Sequence, residues 1–471
     1  MGRVLKELDK AAKDLAPDPV HDLRVALRRC RSVAEGFRSI DPDPSWKKMR
    51  KAGKELFSSL GDLRDAQVMM TWTTKIGGKE DSVTQALLDY FTQQESTLKQ
   101  QVEDSLAEFD RKQWTRWASS LPRRAARVPL GSEAFQCIAL ERWTQARRLQ
   151  PAALKSDNPA AWHRLRIALK KFRYVVENFL PDHHRDWVEA LKRIQDLLGD
   201  LHDLDLLWDA AVRLRMLTDP DARRRWEERI QSEHRARIEE YKQAMCGQDS
   251  LWSQWRTGLP RGDEASNAVF RKFEVWASFL DPDSGHSRRI MRFALQLHDG
   301  LVRMSMLRED SARSRDVLRA AAILHDVGYA DGNKNHHKAT RRLVRKLDVP
   351  FAWRRLDLEV AAMVAGYHRG ALPRPNGKGL AILPPDTRQT AKQFSGILRL
   401  ANALDRDHNG TVSSIKIEKA GDHIVIYAAG LNPLSKLAEN VAAARYLLEV
   451  SCRVPIMVKP MPRASRRRPT R

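Results

Sequence analysis

Several histidines and aspartates of the second half of the chain stand in an order that could do chemistry. Ala320-Ala-Ala-Ile-Leu-His325-Asp326-Val-Gly328 sets a His–Asp pair near the end of an apolar helix; His286 lies upstream, and His336, His337, His368 and Asp405 follow. Imidazole and carboxylate together suit a divalent transition ion, and adjacent ligands at a helix end converge on one ion when flanking helices supply the others. Such an ion acidifies a water or polarises a phosphoryl oxygen. A His–Asp pair alone is weak evidence, because an isolated pair more often caps a helix or forms an ion pair. Here the order H, HD, D with further histidines between carries more.

A second constellation lies in the first half and occurs twice. His21-Asp-Leu-Arg-Val-Ala-Leu-Arg-Arg-Cys-Arg31 matches His163-Arg-Leu-Arg-Ile-Ala-Leu-Lys-Lys-Phe-Arg173. On a helix, His21, Arg24, Arg28 and Arg31 form one stripe, and His163, Arg166, Lys170 and Arg173 repeat it. Lys170 and Lys171 stand where the first copy has Arg28 and Arg29, which keeps the charge but weakens bidentate contacts. Lys47, Lys51 and Lys54, spaced by four and three, line a facing helix; Arg185 and Lys192 correspond to Lys47 and Lys54. Like charges on one face repel by a few tenths of a kcal/mol per neighbouring pair. Guanidinium forks donate bidentately to phosphate oxygens and lysines act as mobile point charges, so an anion is the expected ligand. A solvated basic face and nucleic acid are the competing readings. Against the latter, the stripe has no interleaved aromatic residues and the chain no groove-reading motif.

The elements that must position these groups also repeat. Leu60-Gly-Asp-Leu-Arg-Asp65 and Leu198-Gly-Asp-Leu-His-Asp203 form a second matched block, so two halves of about 140 residues read as an internal duplication within one helical domain. Leu23, Leu27, Cys30, Ala34 and Phe37 recur at the three-and-four spacing of a buried helical stripe. The expected plan is a duplicated helical domain over 1–246, with repeats at about 15–110 and 155–246, and a Gly- and Pro-marked linker over 247–267. A helical domain follows over 268–411, with loops near 331–335 and 373–385, then a small α+β element over 412–460. In that element Ser413–Glu418, His423–Tyr427 and 454–458 read as strands and 435–450 as one helix. The basic tail, 461–471, reads as disordered.

A length of 471 residues implies two or three domains. Lys plus Arg outnumber Asp plus Glu by 83 to 60, a formal charge of +23 that concentrates anions around the chain. Cys30, Cys137, Cys246 and Cys452 include no CxxC pair, which fits a reducing cytoplasm. No signal-peptide core or membrane-length apolar run is read.

The duplicated HxLRVxxRRxR pattern resembles the CHAD family, the conserved-histidine α-helical domains, over roughly residues 5 to 245. That resemblance implies two four-helix halves flanking a basic channel that binds inorganic polyphosphate. His21, Arg24, Arg28, Arg31, His163, Arg166, Lys170 and Arg173 would line it. His286, His325-Asp326 and Asp405 stand in an order similar to that of the HD phosphohydrolase superfamily. HDVGYADGNKNHHKAT, VAGYHRGALP and ILRLANALDRDH resemble the C-terminal region of exopolyphosphatase and guanosine pentaphosphatase proteins, a likeness that extends to about residue 460. This implies His286, His325, Asp326 and Asp405 as ligands of a divalent ion such as Mg²⁺ or Mn²⁺, with Asp326, His336, His337 and His368 as the catalytic set. Those enzymes hydrolyse phosphoanhydrides in an actin-like domain whose glycine-rich phosphate loops have no counterpart here, so any activity falls to the HD site.

The expectation is a mainly α protein with a CHAD-like antiparallel helical bundle, an HD-like helical domain and a small α+β end. It would bind inorganic polyphosphate in the cytoplasm, in association with polyphosphate granules, and hydrolyse a phosphoanhydride or phosphoester bond. A non-catalytic granule-associated binder and a nucleotide phosphohydrolase stay open as alternatives, with nucleic acid only a non-specific partner.

Overall fold

The computed structural model describes residues 1–78, 81–155, 158–307, 312–332, 334–374 and 379–462, and the chain divides into two compact units, Met1–Ala268 and Val269–Arg471. The Arg-rich stretch 463–471 lies outside the described residues.

The first unit is helical throughout. Its helices are α1 (Gly2–Ala11), α2 (Pro17–Phe37), α3 (Pro44–Ala52), α4 (Lys54–Ile76), α5 (Ser82–Ala107), α6 (Arg111–Ala125), α7 (Glu133–Lys155), α8 (Pro159–Phe179), α9 (Pro181–Arg213), α10 (Pro220–Met245) and α11 (Leu251–Thr257). The duplication is visible in the core: Leu23, Leu27, Cys30, Ala34 and Phe37 of α2 are buried, as are their counterparts Leu165, Leu169, Phe172, Val176 and Phe179 of α8. The two helices pack together, α4 packs on α9, and the seam closes on an edge-to-face pair of Phe37 and Phe179 with centroids 5.5 Å apart. Gly36 permits that approach, since a Cβ there would lie 2.3 Å from the Phe179 ring. α8 starts where Pro159 follows Asn158, whose side chain accepts the Ala160 N–H at 2.9 Å. The copies differ at one joint. Gly53 separates α3 from α4, whereas Leu191 at the matching position leaves α9 unbroken over two such lengths.

Residues 247–267, expected as an irregular linker, are instead partly helical. α11 buries Trp252 and Trp255, which pack edge to face on each other and against Trp143 and Phe172 of the first unit. The glycines and prolines there mark short turns around a docked helix. The next helix, α12 (Gly262–Ser278), already begins within this span.

In the second unit α13 (Ser284–Arg303), α14 (Ala312–Leu324), α16 (Arg355–Gly366) and α17 (Pro385–Leu404) pack together, and α16 is buried along nearly its whole length from Leu358. A 3-10 turn, Val327–Asp331, follows α14 and leads to α15 (His336–Arg345), which lies on α16. Asn335 takes a left-handed conformation (φ 59°), one that Asn tolerates, and so starts α15 at the two adjacent histidines. The remainder is β1 (Ser414–Ala420), β2 (His423–Ala429), α18 (Lys436–Ala444), α19 (Tyr446–Cys452) and β3 (Ile456–Pro460). β1 and β2 form an antiparallel hairpin and β3 joins β2 in parallel, so the helices act as the crossover that parallel pairing requires. The single helix expected over 435–450 is two, with a break at Arg445. The protein is mainly α with a small α+β end.

Candidate functional site

Four helix ends bring the second unit's histidines and aspartates to one buried place: the start of α13 (His286), the end of α14 (His325, Asp326), the start of α15 (His336) and the end of α16 (His368). Local bonds fix the turn that carries them. Thr340 donates its hydroxyl to the His325 carbonyl at 2.9 Å and accepts the Gly328 N–H at 3.0 Å. Gly328 has to be glycine, because a Cβ would stand 2.0 Å from the His336 carbonyl oxygen.

Asp326 is the hub. Its Oδ2 lies 3.3 Å from His325 Nε2 and 3.9 Å from His286 Nε2, and its Oδ1 lies 3.4 Å from the Nε2 atoms of both His336 and His368. Two triads result, His286–His325–Asp326 and Asp326–His336–His368, each with its donor atoms within 4.8 Å of one another.

The imidazoles are prepared as ligands. His325 Nδ1 lies 2.8 Å from the Ala322 carbonyl and His368 Nδ1 lies 2.7 Å from the Ala365 carbonyl. A carbonyl can only accept, so each Nδ1 carries the proton and each Nε2 turns a lone pair inward, as a metal ligand must. Burial pushes both rings toward the neutral form. His325 Nε2 is buried without a hydrogen-bond partner, and His336 Nε2 and His368 Nε2 lie only 3.1 Å apart, close enough to need a proton or cation between them. An orphaned lone pair on His325, with a second inward-turned Nε2 on His368 and a carboxylate between them, fits a divalent transition ion.

Asp405, expected as a ligand, stands behind the triads. Its Oδ2 accepts from His286 Nδ1 at 2.8 Å and from Arg289 Nε at 2.7 Å, and its Oδ1 from the Gly410 N–H at 2.9 Å. With that shell filled, Asp405 orients His286 and fixes its tautomer. His408 stacks on the His286 ring at 3.7 Å and binds Asp283 at 2.9 Å. Sequence reasoning passed over Arg289 and His408; the three-residue step from His286 to Arg289 on α13 was the available signal. Asp405→Asn is expected to weaken divalent-ion affinity about 10- to 100-fold through misorientation of His286. Calorimetric titration with Mn²⁺ checks this, and unchanged affinity would contradict the positioning role. His337 is half-buried beside the centre and joins neither triad.

In the first unit both stripes contribute to one cluster. Arg24 and Arg28 of α2 and Arg166 and Lys170 of α8 face Asp65 of α4, Asp203 of α9 and the Tyr174 ring. Arg28 and Lys170 lie over that ring at 5.9 and 6.0 Å. His163 packs on His202 with centroids 4.7 Å apart. Arg24 Nε, Arg173 Nε, His163 Nδ1 and Tyr174 Oη are buried without hydrogen-bond partners, a concentration that an anionic acceptor would relieve.

Other expected stripe residues stand at the edge of this cluster or beyond it. Arg31 turns to the Phe57 ring and donates to the Arg50 carbonyl, and Arg29 pairs with Glu177. His21, Lys47, Lys51, Lys54, Lys171 and Lys192 are exposed. Arg64 occupies in the first copy the place of His202, so His21 lacks the histidine that packs on His163.

Burial and the facing Arg166, Arg24 and Arg28 push the Lys170 ammonium down to about 8, and burial pushes the Asp203 carboxyl up to about 6. An anion favours the protonated form of each. Polyanion affinity should therefore fall as pH rises above 8 and Lys170 loses its charge. It should rise as pH falls through about 6, where Asp203 takes up its proton. Each step is expected to change affinity about fivefold, with the upper step absent from Lys170→Met. Binding isotherms across this range check the sign; a flat profile would contradict it.

Fold and site together define a two-unit helical protein with a basic cluster in one unit and a histidine–aspartate centre in the other. Residues 2–212 match the CHAD domain and residues 271–432 match the Ppx/GppA phosphatase, domain III; the chain carries both. No curated protein matches it. Among the described residues, no helix is long and apolar enough to cross a membrane.

Proposed function

We propose that the first unit binds inorganic polyphosphate and that the second, with a divalent ion such as Mg²⁺ or Mn²⁺, hydrolyses a phosphoanhydride or phosphoester bond. The observation that carries the hydrolytic reading is the division of Asp326 between two triads, one oxygen to each. His286, His325 and Asp326 would hold one ion, and His336 and His368 with Asp326 offer a second position. An ion bound there supplies Lewis acidity at a phosphoryl oxygen and lowers the pKa of a coordinated water. The chain's own groups do the rest. Asp405 and the backbone carbonyls hold the imidazoles in one tautomer, the buried walls exclude bulk water, and His337 offers an N–H to a phosphate oxygen.

The binding reading rests on the four buried polar atoms around Arg24 and His163 that lack a hydrogen-bond partner, of which only Arg173 Nε has an acid, Glu177, within ion-pair distance. A polymer with phosphates and no bases meets them without aromatic stacking, and association with polyphosphate granules follows from such binding. The test is a substrate panel with the purified protein and Mn²⁺, comparing long-chain polyphosphate with a nucleoside triphosphate. Preference for the polymer supports the proposal. Equal use of the nucleotide, with no dependence on chain length, would reassign the centre as a nucleotide phosphohydrolase.

A further inference from the structure

A cavity of about 660 Å³ in the second unit, lined by His337 next to the histidine–aspartate centre, is strongly basic. Lys338, Arg341, Arg342, Arg345 and Lys346 line it, His337 joins them at one end, and Glu359 of α16 is its one acid. Its size suits a bound ligand.

The cations are not all spoken for. Glu359 holds Arg345 at 2.7 Å and Asp331 pairs with Arg342. Lys338, Arg341 and Lys346 form no ion pair among the described residues, and the nearest acceptor for Arg341 is the Gly379 carbonyl, at a weak 3.5 Å. These side chains recur along a single helix face at three- and four-residue steps, where like charges repel. A concave basic wall focuses its field on whatever anion enters.

Extent selects the anion. From Lys338 to Lys346 the helix rises roughly 12 Å, so one orthophosphate cannot meet both ends and a chain of several phosphates can. The cavity starts at His337, next in sequence to His336 of the second triad. We propose that it receives the unreacted length of a linear phosphate chain whose terminal phosphate sits at the His336–His368 side of the centre. The second unit would then recognise chain length by itself. The inference rests on the phosphohydrolase reading for the terminal group, while chain binding is measurable without turnover.

The test uses the full chain carrying Arg24→Gln and Arg166→Gln, which weakens binding in the first unit. Short linear polyphosphate and orthophosphate are titrated into it with and without Lys338→Gln and Lys346→Gln, which break no ion pair. The expected result is about tenfold weaker binding of the short chain and little change for orthophosphate. Chain binding as tight as in the parent would overturn the proposal. Asp326→Ala in the parent background should keep binding the chain, so an inactive centre leaves the outcome readable. If ATP displaces the short chain, the chain recognised is a nucleotide's phosphate arm; if it does not, it is the inorganic polymer.

Discussion

Asp326→Ala is expected to lower metal-dependent phosphate release on the order of a thousandfold, the scale of losing the electrostatic stabilisation that a catalytic ion supplies. The effect should exceed that of any single histidine change. Removal of one imidazole leaves one triad whole, whereas Asp326 belongs to both. The fold should survive, because the turn around Asp326 is held by Thr340, Gly328 and backbone bonds and not by its carboxylate. Removing that buried carboxylate also leaves four imidazoles facing one another with no anion among them, so divalent-ion binding should fall with activity. Kinetics and Mn²⁺ titration on the variant, with circular dichroism to follow helix content, check this together. Retained release would place the chemistry elsewhere in the chain.

The second large effect belongs to the first unit. Arg24→Gln with Arg166→Gln is expected to weaken polyphosphate binding about a hundredfold and to reduce the salt dependence by roughly two charges. Both guanidinium groups belong to the half-buried cluster, where water screens them less than at the surface. The same change in exposed Lys47 and Lys51 should cost only a few-fold. Binding measured over a range of salt concentrations separates the two; equal losses would mean a diffuse basic surface in place of a built site.

Much of this was legible from spacing. The stripes of α2 and α8 could be read because one helix period sets both the apolar face and the charged face, and their recurrence doubled the signal. The His325–Asp326 pair could be read because the apolar run before it needs a buried helix whose end must go somewhere. What spacing could not give was contact between distant segments. Asp405 is a carboxylate in the right order along the chain, yet Arg289 and the Gly410 amide occupy it, and neither neighbour is adjacent in sequence. His21 and His163 share a motif but not an environment, since packing against His202 happens only in the second copy. Gly and Pro in 247–267 pointed to a linker, and the tryptophans of α11 overrode them by burial. The charges from Arg341 to Lys346 look like an ordinary solvated helix until α16 supplies the opposite wall of the cavity.

The most direct test of the account is orthophosphate release from long-chain polyphosphate by the purified full chain with Mg²⁺ or Mn²⁺, measured beside Asp326→Ala. Metal-dependent release by the native protein and its loss in the variant are expected. No release by the native protein, with salt-sensitive polyphosphate binding retained, would contradict the hydrolase and leave a protein that only binds the polymer.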